Sequence, residues 1–243
     1  MPDQIIRGIE NYINEICGYQ FYEEIPLADR QYHVGQFFQA HVKYPFSLSP
    51  KVLEVEHVDP TNESDAIFRI ADYDPESEAQ HMQPIKQLNL RSTDRLYISA
   101  GKIRTVILLK IVENFWMEDE VVKLALCVPI SRFKSRMETK LIIKTQLFEL
   151  PQYFYIKPSE NGAKFESAAR FDLIQYICLD HIHPVQNDRS SLCFKLSSFS
   201  LKIMFNHLAK YLFERPYDDV LEQEISAYRD ILLGEESIQS ILA

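Results

Sequence analysis

Between residues 123 and 146 the chain places Lys123, Arg132, Lys134, Arg136, Lys140 and Lys144 against a single acid, Glu138. A stretch of this charge can dock a polyanion, because each phosphate neutralised by Lys or Arg releases condensed counterions. The same composition also describes a solvated loop, so Arg132, Lys134 and Arg136 keep both readings. Downstream, Tyr153, Phe154 and Tyr155 follow Pro151 and could stack unpaired bases, although an aromatic run beside a proline equally suits the mouth of a core. His181-Ile182-His183 would set two imidazoles on one face of a strand, able to hold a metal or to act as acid and base. With Pro184 next, the same residues read more simply as flanking a turn. Upstream, Arg104 lies in the β-branched run 101–109 and Ser131 follows Pro129-Ile130. Taken alone, Arg104 reads as a strand residue facing a carboxylate across a sheet, and Ser131 as a turn hydroxyl.

The rest of the chain sets limits on these groups. Its 243 residues carry a net charge of −9, but unevenly: residues 1–95 hold 16 acids against 8 cations and residues 214–243 hold 8 against 2. Indiscriminate binding of phosphate backbones is therefore disfavoured, while a local basic site remains open. With 46% hydrophobic residues and only 6 Gly, the composition is that of a folded protein with a substantial core. No apolar run approaches the roughly 20 residues that cross a bilayer, so no membrane association is expected. The first residues alternate charged and apolar and do not read as a secretory signal. Cys17, Cys127, Cys178 and Cys193 are dispersed with no CxxC pair, which favours reduced thiols in a cytoplasmic protein and gives no zinc signature. No phosphate loop or nucleophile elbow is present either. No metal or cofactor is expected.

The elements that must position these residues follow from the apolar periods. Residues 3–17 carry Ile5, Ile6, Ile9, Tyr12, Ile13 and Ile16 on one helical stripe. Residues 18–60 are punctuated by Gly and Pro, with 33–42 the best strand. Residues 61–94 are acidic and polar and read as an insertion in which only 66–70 offers a strand. Four β-rich runs then follow, at 95–109, 121–128, 141–148 and 171–178, the pattern of an all-β barrel or sandwich. Residues 198–233 return to helical periodicity, stopped at Pro216, restarted by Asp218 or Asp219, and closed by Gly234. The predicted organisation is an N-terminal helix over 1–20, a β-rich body over 21–185 with the inserted segment at 61–94, and a helical extension over 186–243.

Several of these runs resemble one known pattern. His33-Val34-Gly35-Gln36-Phe37-Phe38 is similar to its opening strand, and Gly101-Lys102-Ile103-Arg104-Thr105-Val106-Ile107-Leu108-Leu109 to its arginine-led strand. Leu124-Ala125-Leu126-Cys127-Val128-Pro129-Ile130-Ser131 resembles the apolar strand ending in Pro-Ile-Thr/Ser, and Glu166-Ser167-Ala168-Ala169-Arg170-Phe171-Asp172-Leu173-Ile174-Gln175 the closing strand. The family is that of the PemK/MazF-like proteins, SH3-like β-barrels many of which are toxin endoribonucleases. Thr105 stands where that family has Pro, and the segment between the first two strands is far longer than the family's loop.

The resemblance implies a mainly β fold with added helices: an SH3-like antiparallel barrel bearing an N-terminal helix and a C-terminal helical extension. It also implies metal-independent cleavage of single-stranded RNA by its own 2′-hydroxyl, with Arg104 and Ser131 in the catalytic positions. A guanidinium suits the negative charge that builds on phosphorus, since it stays protonated and presents a planar fork of donors. Arg132, Lys134, Arg136, Tyr153 and Tyr155 would then hold the RNA strand. An antitoxin or other protein partner and a homo-oligomer are the further partners implied. The alternative expectation is a catalytically silent barrel that binds protein or nucleic acid within a defence or regulatory assembly.

Overall fold

In the computed structural model the described residues are 7–18, 20–26, 32–44, 51–59, 62–72, 96–117, 120–134, 137–187 and 192–243. The chain divides into two compact units, one of residues 1–42 with 103–243 and one of residues 43–102. Among the described residues antiparallel sheets dominate and five α-helices accompany them. Among the described residues no helix is long and apolar enough to cross a membrane.

The larger unit is built on two long strands, β6 (Gly101–Met117) and β7 (Glu120–Arg132), which pair antiparallel from Val106↔Pro129 to Met117↔Glu120. Successive residues of a strand point to opposite faces, and over residues 106–109 and 124–130 both faces are buried. Ile107, Leu109, Val128 and Ile130 enter one core, while Val106, Leu108, Ala125 and Cys127 enter another. The sheet continues outward from β6 through β2 (Phe37–Lys43) to β11 (His183–Pro184). On the other edge of β7, residues 124–127 pair β10 (Gln175–Cys178), and residues 130–132 pair β9 (Ser167–Arg170), which pairs β8 (Tyr153–Ile156). Pro129, lacking an N–H, sits where that edge changes partner. A separate two-stranded sheet joins β1 (Tyr22–Ile25) to β12 (Cys193–Leu196).

The helices cover the first core. α1 (Arg7–Cys17) buries Tyr12, Ile13 and Ile16 of the expected stripe, with Cys17 beside them, while the side chains of Ile5, Ile6 and Ile9 lie outside what is described. α3 (Ser198–Phe213) starts on the Ser197 hydroxyl, which accepts from the Ser200 N–H at 3.2 Å, and buries Ile203, Met204 and Leu208. α4 (Asp219–Leu233) is capped by the Asp218 carboxylate, which accepts from the Leu221 N–H at 3.0 Å. Gly234 closes α4, and α5 (Glu236–Leu242) follows. Burial pushes the Cys17 and Cys127 thiols up to about 12, and all four cysteines are free.

Two expectations are corrected. Residues 141–148, read as a strand, belong to α2 (Thr139–Gln146) and the turn after it. Ile142 and Ile143 give the segment a β-like composition, but Ile143 and Leu147 are the buried pair, at helical spacing. The Thr145 hydroxyl donates to the Leu141 carbonyl one turn back, at 2.8 Å. The second correction concerns the segment read as an insertion around one short strand. The smaller unit is a three-stranded antiparallel sheet ordered β4–β3–β5, formed by β3 (Lys51–Asp59), β4 (Asn62–Asp72) and β5 (Leu96–Ile98). Strand thus begins ten residues before the expected insertion, and an ion pair between Lys51 and Asp72 ties the open end of the β3–β4 hairpin. The remainder of the expected insertion, residues 73–94, lies outside the described residues.

One buried titratable group makes the fold pH-dependent. His207 of α3 packs against Phe148 and Phe171 of the first core. Its Nε2 lies 3.1 Å from the Leu150 carbonyl and 3.0 Å from the Tyr153 carbonyl, so this nitrogen carries the proton and donates. Burial lowers the ring's pKa to about 4, against an ordinary 6.5. Above pH 6.5 the ring is neutral in both folded and unfolded chains. As pH falls from 6.5 towards 4 only the unfolded chain takes up the proton, and stability is lost, about 3 kcal/mol in all. Urea midpoints measured across this window are expected to fall steeply, and His207→Gln should flatten that fall; an equal slope in both would assign the pH dependence to other groups.

Candidate nucleic-acid interface

The ladder between β6 and β7 ends at Val106↔Pro129, and beyond it β7 pairs β9, beginning with Ile130↔Ala169. A groove of about 990 Å³ is lined by both strand ends. Phe37 and Phe194, with ring centroids 4.7 Å apart, and Ile130 supply apolar lining. Thr105, Gln39, Gln186 and Asn187 add polar groups, and residues 158–165 form one wall. Among the lining residues the charged ones are Arg104, Arg132 and Lys164 against Glu160.

Alternation explains which side chains reach it. Phe37, Gln39, Thr105, Ile130 and Arg132 occupy the strand positions that share the face of Ile107 and Val128. Within the sheet this face is filled by the first core, and it opens to solvent only where β6 and β7 separate. Arg132 is exposed there, with its guanidinium carbon 3.7 Å from the centroid of the Phe165 ring. That distance is well inside the range of a cation–π contact.

The wall carrying Phe165 is held from beneath. Glu166, the next residue, accepts from the Tyr155 hydroxyl at 2.6 Å and from the Gln146 amide at 3.1 Å. Its backbone carbonyl accepts from the Phe133 N–H at 3.1 Å. Farther along the wall, Gly162 lies against the ring of Tyr22, where a Cβ would come within 2.3 Å. The buried Tyr22 hydroxyl in turn donates to the Lys157 carbonyl, so the ring is fixed at both ends. Burial, reinforced by the charge of Glu166, raises the Tyr155 pKa far above its ordinary value, and this phenol stays protonated as a donor.

The residues singled out from the sequence therefore separate. Arg104 and Arg132 both line the groove. Ser131 does not; it pairs Ala168 in β9, and alternation sends its side chain to the face opposite that of Arg132. Arg104 shares parity with Val106, and Ser131 with Pro129. The paired ladder stops at Val106↔Pro129, and beyond it Ser131 is held by β9. Lys134 is exposed just beyond β7 and is not part of the lining, and Arg136 lies outside the described residues.

The two aromatic candidates are corrected by burial. Tyr155 is 1% exposed and cannot offer a ring face to a base; its part is to hold Glu166. Tyr153 is half-buried, with Arg170 over its ring at 5.5 Å, and lies at the end of β8 away from Ile156, the partner of Ser167. His181 ends a 3-10 turn and His183 begins β11, both exposed. Phe165 and Lys164 were not expected. Their signal was present as a lone aromatic and a cation in a polar stretch containing Pro158 and Gly162, where no core requires a phenyl ring.

Compared with family models, with curated proteins and with solved structures, the chain finds no match.

Tyr155→Phe deletes one of the two side-chain donors to Glu166 while keeping the ring. Loss of a hydrogen bond to a charged group is expected to lower stability by about 1.5–3 kcal/mol, read from urea unfolding at pH 7. No change in the midpoint would mean that Glu166 does not anchor the wall.

Proposed function

We propose that the larger unit binds single-stranded RNA in the groove at the diverging ends of β6 and β7. The observation that carries this reading is the meeting of Arg104, Arg132 and Lys164 with an exposed phenyl ring on one open, partly apolar groove. Cations that follow a phosphate backbone and aromatic faces that take unpaired bases are the two ingredients of single-strand binding. A duplex would present its bases already stacked. The acidic termini do not cancel a basic groove, because at physiological salt charges more than about 8 Å away are largely screened. In this reading the seven-stranded sheet is an SH3-like barrel of PemK/MazF-like type, carrying the smaller sheet as an insertion and the helices as additions. The change of partner along one edge of β7 supports a strongly bent sheet.

Fluorescence anisotropy with a labelled single-stranded RNA octamer tests this. About three phosphate contacts give an expected slope of about −2 for log K against log salt. A charge-assisted phosphate contact contributes roughly 1.5–3 kcal/mol, so Arg132→Glu should weaken binding about tenfold or more. An octamer that shows no affinity even at low salt, or an Arg132→Glu chain that binds as wild type, refutes the assignment.

A second reading, cleavage, draws on the equal parity of Arg104 and Ser131 about the last pair of the ladder, Val106↔Pro129. In it the guanidinium stabilises the pentavalent phosphorus and the Ser131 hydroxyl hydrogen-bonds the phosphate, with no metal required. Mixed-sequence RNA incubated with the protein in chelator should then be cut, and Arg104→Ala should reduce cutting by about 10²–10³. Intact RNA under conditions where the groove binds it leaves the chain a binding module.

A further inference from the structure

We infer that Phe165, backed by Arg132, is a stacking platform for one unpaired nucleobase, a subsite that rests on the reading of the groove as an RNA interface. The wall from 157 to 166 is anchored at several points. Tyr22 holds it at the Lys157 carbonyl and at Gly162, the Lys157 ammonium donates to Asn14 of α1, and Tyr155 and Gln146 hold it at Glu166. Ser159 and Ala163 close a turn within it, the Ser159 N–H donating to the Ala163 carbonyl at 2.9 Å. In a loop so placed, an apolar ring has packing available on the core side. Ile156 at its start is fully buried, yet Phe165 is 46% exposed in the groove.

The orientation follows from the anchoring of its neighbour. Glu166 is turned inward to Tyr155, so Phe165 and Ser167, the residues on either side, are turned the other way, and both line the groove. The Arg132 guanidinium lies over one face of the ring, which stays 46% exposed, and a base would take the other face. A base laid on that face would complete a guanidinium–phenyl–base stack. Arg132 would thereby serve twice, polarising the ring from behind and contributing positive charge for the adjoining phosphate. Ring, loop and cation are in place before any ligand arrives, so little ordering entropy is lost on binding.

Stacking distinguishes a nucleobase from a bare polyanion, and this sets the experiment. The full chain is titrated with an oligoadenylate octamer and with its abasic counterpart, which keeps the ribose-phosphate backbone and lacks the bases. Wild type is expected to bind the adenylate about tenfold more tightly than the abasic chain, in the range reported for one stacked base. Phe165→Ala should remove that tenfold preference and leave abasic affinity unchanged, and Phe165→Trp should restore it. The ring is exposed, so neither substitution opens a core cavity, and matched urea midpoints confirm equal folding. If Phe165→Ala lowers both affinities equally, or neither, the platform is overturned while RNA binding stands. If wild type binds neither oligomer, the RNA reading falls and the subsite with it.

Discussion

The β6–β7 ladder is buried on both faces over residues 106–109 and 124–130, and this constraint governs what the rest of the larger unit can do. A strand pair buried on one face already has its register specified; one whose alternate residues fill two separate cores has it specified twice, because a shift of one residue would exchange the contents of both. Ile107 with Val128 belongs to the helix-covered core, and Leu108 with Cys127 to the core closed by Phe38, Ala40 and Ile177. The register is thereby fixed up to Val106↔Pro129. Where the strands part, the same alternation decides which side chains enter the groove and which turn away. Arg132 lines the groove and its neighbour Ser131 does not, as parity requires; Arg104, past the end of the ladder, enters the groove although its parity is that of Ser131.

The second layer of control lies behind the groove wall. A carboxylate drawn in from solvent needs donors, and Glu166 obtains them from β8 and α2. This couples three segments distant in sequence. Gln146 reaches Glu166 only because residues 139–146 are helical, and Tyr155 reaches it because β8 pairs β9 in the register that sets Tyr155 opposite Ala168. The polar network beneath the wall and the exposed ring upon it are therefore two ends of one device. Most of what holds the groove in shape is invisible from within it.

How far the sequence foretold this differs from element to element, for physical reasons. Helical period in α1, the stop near Pro216, a cap at Asp218 or Asp219, and strand in the runs 95–109 and 121–128 were legible, because period and capping chemistry are local; the full reach of the two strands, 101–117 and 120–132, was not. The helix at 139–146 was not: Ile142-Ile143 has strand composition, and only tertiary burial of Ile143 with Leu147 selects the helix. Strand β3 was missed because its Glu54, Glu56 and His57 interrupt the apolar pattern. Among the candidate residues, Arg104 and Arg132 were legible by charge. Tyr155 was misassigned, since an aromatic destined for stacking and one destined for a buried hydrogen bond have the same sequence signature. Phe165 escaped notice because its importance comes from neighbours: Glu166 turned inward and Arg132 placed across the groove by the end of another strand.

The central claim is that ligand enters at the parting of β6 and β7 and not elsewhere on the molecule. It is tested most directly by amide chemical-shift mapping of the isotopically labelled chain as a single-stranded RNA octamer is added. The expected result is a saturable set of shifts at residues 103–105, 130–132 and 158–167, with the β3–β4 hairpin and the exposed turn of α4 unmoved. Shifts confined to the hairpin or to α4, with the groove residues silent at saturation, would contradict the account.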